Sequence, residues 1–194
     1  MTSVEYNHTF LAGYFDSETG INFNSYNISL SLYIKTTDLD NQDIAFDRID
    51  FVLRDVLNNA VFIDENEEEA IEVFNSLGMN VLTVDKPGPV DNIIQITIVN
   101  KLNAITDDIL SIYESKINSV KGGNITYNFF VDKRTAGTYI NESKYKWWNN
   151  PAPIFVDETD RECNFKEIHF WDEIEMGWKV EKKDKDANIV KMPL

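Results

Sequence analysis

Ser25-Tyr26-Asn27-Ile28-Ser29-Leu30-Ser31-Leu32-Tyr33-Ile34-Lys35-Thr36-Thr37 places Ile28, Leu30, Leu32 and Ile34 at every second position with polar or small residues between them. A period of two is that of a strand with one face buried. Glu5 to Tyr14, just upstream, is also rich in β-branched and aromatic residues, so the two stretches predict a hairpin. Past the turn-forming Asp38-Leu39-Asp40-Asn41 the spacing changes. Ile49, Val52, Leu53, Val56, Leu57, Ala60 and Val61 recur at three and four, which predicts an amphipathic helix.

Farther along, a second helix is expected from about Glu67. Glu67, Glu68 and Glu69 lie in its first turn, where the helix dipole favours anions, and Gly78 ends it. Met79 to Val84 reads as a strand and Lys86-Pro87-Gly88-Pro89 as a turn. Asn92 to Leu102 fits two templates. Ile94, Ile96 and Ile98 alternate like a strand, and β-branching favours that locally; Ile94, Ile98, Leu102 and Ile105 also make a helix face. Asp107 to Ser119 is expected to be helical, with Gly122-Gly123 breaking the chain before a strand over Asn124 to Val131.

From about Asn141 the character changes. Trp147, Trp148, Trp171 and Trp178 all lie here, with Pro151, Pro153 and a mixed-charge end from Glu181 to Lys191; Ile168 to Val180 is expected to form a short hairpin over Glu175-Met176-Gly177. The division expected is a domain over 1–140 and an aromatic extension over 141–194. Trp147 and Trp148 are candidates for docking on a neighbouring domain or on a partner subunit, because aromatic pairs beside prolines suit interfaces.

The 194 residues carry 33 acids against 18 bases, a net charge of −15. Residues 1–100 hold 17 of the acids and 4 of the bases, so nearly all the excess lies in the first half. Such a field repels nucleic acid and anionic membrane. With 43% hydrophobic residues the chain has the material for a core, unlike a disordered acidic chain. No apolar run is long enough to span a bilayer, and the first residues lack a signal-peptide pattern; the expected location is the cytoplasm, or a virion if the chain is phage-encoded. The 21 isoleucines and 21 asparagines point to an AT-rich genome, which suits a bacteriophage.

Metal and cofactor chemistry find little footing. The lone Cys163 excludes an internal disulfide and a cysteine cluster, and His8 and His169, the only histidines, exclude a three-histidine zinc site within one subunit. There is no glycine-rich phosphate cradle. Glu65, Glu67, Glu68 and Glu69 lack the ligand spacing of a calcium loop and read as a solvated helix start. His8 reads as a structural histidine.

Several local motifs, in order, resemble the 6-pyruvoyl and 6-carboxy-tetrahydropterin synthases, enzymes of the T-fold. Phe10-Leu11-Ala12-Gly13-Tyr14 is similar to the family's Phe-x-Ala-Ala-His, and Asn22-Phe23-Asn24-Ser25-Tyr26 to its His-Gly-His-Ser-Tyr. Ala45-Phe46-Asp47-Arg48-Ile49 is similar to the opening of its first long helix, and Leu57-Asn58-Asn59-Ala60 stands where it has Leu-Asp-His. Gly88-Pro89-Val90-Asp91-Asn92 resembles a degraded Pro-Thr-x-Glu-Asn helix start, favouring helix over strand for the ambiguous stretch. Val131-Asp132 with Thr135-Ala136-Gly137 and Tyr139 is similar to the last strand, which carries the pterin-anchoring glutamate.

The resemblance implies an α+β, T-fold-like antiparallel sheet with helices packed on one face, and a C-terminal extension outside it. It also implies a homo-oligomer, a ring of sheets joined edge to edge. Its departures fall on the chemistry: the three zinc histidines correspond to Tyr14, Asn22 and Asn24, the catalytic cysteine has no counterpart between Asp16 and Asn22, and the Asp-His pair corresponds to Asn58 and Asn59. Carboxamide and phenol replace imidazole poorly on zinc, and asparagine moves no protons near neutral pH. A non-catalytic protein acting by assembly and partner binding is expected, with no metal or cofactor. The alternatives are a binder of a purine-like or pterin-like molecule, using Asp132 with Lys133 and Arg134 beside it, and an active synthase with rearranged ligands.

Overall fold

The computed structural model describes residues 2–85, 88–131, 147–153 and 170–174. The hairpin forms as expected and runs longer. β1 (Thr2–Asp16) and β2 (Gly20–Ile34) pair antiparallel in unbroken register from Thr2↔Ile34 to Asp16↔Gly20. Gly20, at φ +75°, makes the tight reversal that a residue with a Cβ resists. Phe10, Ala12 and Tyr14 of β1 and Asn24, Tyr26, Ile28, Leu30 and Leu32 of β2 share the buried face.

α1 (Leu39–Phe51) starts inside the stretch expected to be a turn. Asp38 is its N-cap, accepting from the N–H groups of Asp40 (3.0 Å) and Asn41 (3.4 Å). The helix widens into a π turn over Val52–Val56, where Leu57 N–H reaches back to Val52 O at 2.9 Å. It ends sooner than periodicity predicts, because Asn59 adopts φ +66°, a left-handed geometry asparagine tolerates. Ala60 and Val61, read as the helix end, instead lead into β3 (Val61–Asp64), a strand not foreseen.

α2 (Glu68–Ser76) and β4 (Val81–Val84) follow as expected, with Gly78 at φ +73°. β1, β3 and β4 are mutually parallel neighbours, so the sheet, of order β4-β3-β1-β2 with two further strands, is mixed rather than purely antiparallel. α3 (Val90–Ile105) resolves the ambiguous stretch as helix. Burial on nearly all sides overrides the β-branched preference: Ile93, Ile94, Ile98, Val99, Leu102 and Ile105 are all buried.

The expected helix over Asp107 to Ser119 is corrected: β5 (Leu110–Ser119) is a strand paired antiparallel with β2. Asp107 (φ 49°) and Asp108 (φ 61°) are both left-handed, which halts the helical path, and Arg48 and Lys35 hold their carboxylates. A register shift at Ser31/Leu32 lets Leu110, Ile112 and Ile117 all face inward, mimicking helical spacing. β6 (Tyr127–Phe130) closes the sheet as β4-β3-β1-β2-β5-β6.

α1 and α3 cover one face of the sheet over the main core. α2 packs on the opposite side of the β3–β4 flank, where Ile71 meets Val61, Ile63 and Val81. The segment around Trp147–Asn149 completes the main core: Trp147 and Trp148 are 3% and 1% exposed. Trp147 donates its indole N–H to Thr83 O (2.9 Å), capping an outward carbonyl of edge strand β4. Buried Lys101 of α3 donates to Asn150 O (2.9 Å) and Ala152 O (2.6 Å). Trp171 donates to Pro151 O, meets Phe51 edge-on and lies under the Arg48 guanidinium. Of the two surfaces expected to receive Trp147 and Trp148, the neighbouring domain of the same chain takes both rings, so the reading of them as partner-docking residues is corrected. Most of the expected Ile168 to Val180 hairpin lies outside the described residues.

Candidate functional site

Where the turn end of the β1–β2 hairpin meets the first turn of α3 and the end of β5, the surface folds into a cleft of about 290 Å³. The register dictates its back wall. Tyr14 pairs with Asn22 and Ala12 with Asn24, so the side chains of Tyr14, Asn22, Asn24 and Tyr26 project from the same face of the sheet. The start of α3 brings Pro89, Val90 and Asp91 to that face, while β5 and its turn bring Ser119, Lys121 and Gly122.

Hydrogen bonds fix most of these groups. Ser119 Oγ–H donates to Asp91 Oδ2 at 2.6 Å and accepts from Gly122 N–H at 3.1 Å. Asn24 Oδ1 accepts from Lys121 N–H at 3.0 Å, and Asn22 Nδ2 donates to Thr19 Oγ1 at 2.8 Å. A Cβ at Gly122 would stand 2.8 Å from both Asp91 Oδ2 and Ser119 Oγ, so a side chain there would push these two groups aside. Tyr26 stacks on Phe10 with centroids 5.2 Å apart. Burial pushes the Tyr26 phenol far above its ordinary range, and the Asp91 charge adds to this against an opposing hydrogen bond from Asn24. Tyr26 is therefore a neutral hydroxyl at any physiological pH and serves as a hydrogen-bonding group.

The three positions that resemble the zinc histidines thus come together. Their donor set does not fit zinc: one phenol and two carboxamides, with Asn24 Oδ1 already accepting a backbone N–H. Among the described residues no cluster of three or more His, Cys, Asp or Glu side chains is placed to hold a metal. What the cleft offers instead is hydrogen bonding, one carboxylate at Asp91, an exposed cation at Lys121 and the tyrosine rings of Tyr14, Tyr26 and Tyr127.

Asn58 and Asn59, matched to the family's proton-transfer pair, do not join this cleft. Asn58 Oδ1 accepts from Leu11 N–H (3.0 Å) and Asn59 N–H donates to Leu11 O (2.6 Å), so both bracket the backbone of β1. Asp132, Lys133 and Arg134 lie outside the described residues. His8 is half-buried and stacked on Tyr6, 6.4 Å between centroids. Sequence reasoning missed Ser119 because a helix was expected to end there, Lys121 because it falls in the break after that helix, and Tyr26, whose place two residues after Asn24 was the available signal.

Comparison with known protein families gives no matching family model, and comparison with curated proteins gives no match.

Proposed function

We propose that this chain is a non-catalytic, tetrahydropterin synthase-like protein that works through assembly and partner binding. One observation carries the reading: Tyr14, Asn22 and Asn24, singled out by motif order alone, line a single cleft, and their side chains suit neither zinc nor proton transfer. The order hairpin, helix, helix, hairpin (β1-β2, α1, α3, β5-β6) supports the same resemblance, with β3, α2 and β4 inserted between the helices. A structural or accessory role in a phage particle suits the composition, and a cytoplasmic one does as well. Native mass spectrometry of the purified protein tests the proposal. A metal-free oligomer is expected; stoichiometric zinc, or turnover of a dihydroneopterin triphosphate substrate, overturns it.

A second reading, binding of a purine-like or pterin-like molecule, is favoured by Asp91. Its carboxylate, which Ser119 engages through Oδ2, lines the same cleft as Tyr14, Tyr26 and Tyr127 and can accept from the N–H groups of a guanidine-like edge. Thermal-shift titration with pterin and guanine checks this: stabilisation by ligand that Asp91→Asn removes supports it, and equal shifts in both proteins refute it.

A further inference from the structure

β1 is an interior strand for only a fraction of its length. On its outer side β3 pairs at Gly13 and Tyr14 alone, and Leu11 is held by Asn58 and Asn59. Gly13 N–H and both backbone groups of Leu11 point to that side, so by the two-residue alternation those of Thr9, Asn7, Glu5 and Ser3 do too. Among the described residues nothing pairs with these four. The β1–β2 register is free of bulges along the whole stretch, and residues 1–34 contain no Lys, Arg or Pro. Those are the devices that usually blunt an open edge. The contrast with β4 is direct, since Trp147 caps its outer carbonyl.

The flank of this edge is acidic. Tyr6 of β1 donates its hydroxyl to Asp50 of α1 (3.2 Å) and stacks on Phe46, which places α1 alongside the edge. Asp43, Asp47 and Asp50, spaced four and three apart, form one stripe of α1; Glu5 lies on the other face of β1, where it accepts from Ser29 Oγ and lines a groove with Lys116. Arg54, on the α1 side of the edge, is paired with Asp50 (2.9 Å) and Asp55 (3.2 Å). The stripe is crowded enough that burial, then Asp43 and Asp50, raise the Asp47 carboxyl above its usual range.

We propose that the Ser3–Thr9 edge of β1 receives an extended peptide bearing lysine or arginine, which adds to the sheet as a further strand. This rests on the partner-binding half of the function proposed above and supplies that partner's chemistry. Main-chain hydrogen bonds would hold the peptide, and the acidic stripe would select its charge. A second copy is the poorer occupant, because it brings another −15 and sets Glu5 and the aspartates of both copies at one junction.

The probe is a fluorescein-labelled octapeptide of alternating lysine and valine, with its glutamate-for-lysine counterpart, titrated into the full chain. Anisotropy should report saturable binding of the lysine peptide only. Hydrogen exchange at the amides of Glu5, Asn7 and Thr9 should slow when it binds. Asn7→Pro removes an outward N–H without touching the β1–β2 ladder and should weaken binding at least tenfold at unchanged charge. If that variant fails to fold by circular dichroism, Asp43→Lys with Asp47→Lys should produce a similar loss. Binding undiminished in a folded Asn7→Pro protein overturns the proposal, as bare charge attraction would then suffice. So does an edge whose amides are already protected in the free monomer, which the chain's own residues would then cover. A dimer that Asn7→Pro dissociates also overturns it, assigning the edge to a second copy while leaving the assembly reading intact.

Discussion

His8 illustrates how position along a strand sets the chemistry of a side chain. Its even number places it on the helix-covered face with Tyr6 and Phe10, and burial lowers its pKa below 6.5; Arg54 adds to this and Asp50 opposes it. The unfolded chain then binds the proton more readily than the folded one, so stability is full above about pH 6.5 and falls as the pH drops below it. Urea denaturation at pH 8 and pH 5 should show that loss, and His8→Gln should shrink it. Asn24 was read as a degraded metal position, and its carboxamide in fact accepts Lys121 N–H and anchors the turn after β5. Asn24→Ala should cost about 1 kcal/mol and speed exchange of the Lys121 amide, without altering the far-ultraviolet spectrum.

Helices and strands were legible to differing degrees, and the differences have causes. β1 and β2 stood out because period two persists over many residues with one face buried. α1 was equally plain, yet its start was missed because Asp38, read as a turn residue, acts as cap. Asp38→Ala should destabilise the protein by about 1 kcal/mol, seen as a lower urea midpoint with unchanged slope. β5 was taken for a helix because the register shift against β2 spaces its buried residues irregularly. No local pattern encodes that shift, which arises from the partner strand. β3 is four residues long and buried on both faces, too short for any period to show.

Across the whole molecule, the sheet-and-helix body that ends at Val131 and the tryptophan segment are joined by packing rather than by chain proximity. Trp148 is 1% exposed and stands edge-on to Trp147, which reaches across to β4, while Lys101 grips the carbonyls of Asn150 and Ala152. Trp148→Ala should cost about 3–5 kcal/mol, enough to remove most of the stability of an ordinary domain. Chemical denaturation followed by circular dichroism checks this. A loss under 1 kcal/mol would mean that the segment adds little to the core.

Composition and periodicity alone settled that the chain is an acidic α+β protein with a leading hairpin and following helices, because those features are written in neighbouring residues. Tyr14, Asn22 and Asn24 were marked by neither, but by the resemblance in motif order. Tertiary contacts were needed to choose helix for α3 and strand for β5, to run β3 and β4 parallel to β1, and to turn Trp147 and Trp148 inward. Each of those outcomes depends on which distant surface a segment is buried against, and burial free energy outweighs the few tenths of a kcal/mol per residue, roughly, that local propensity supplies.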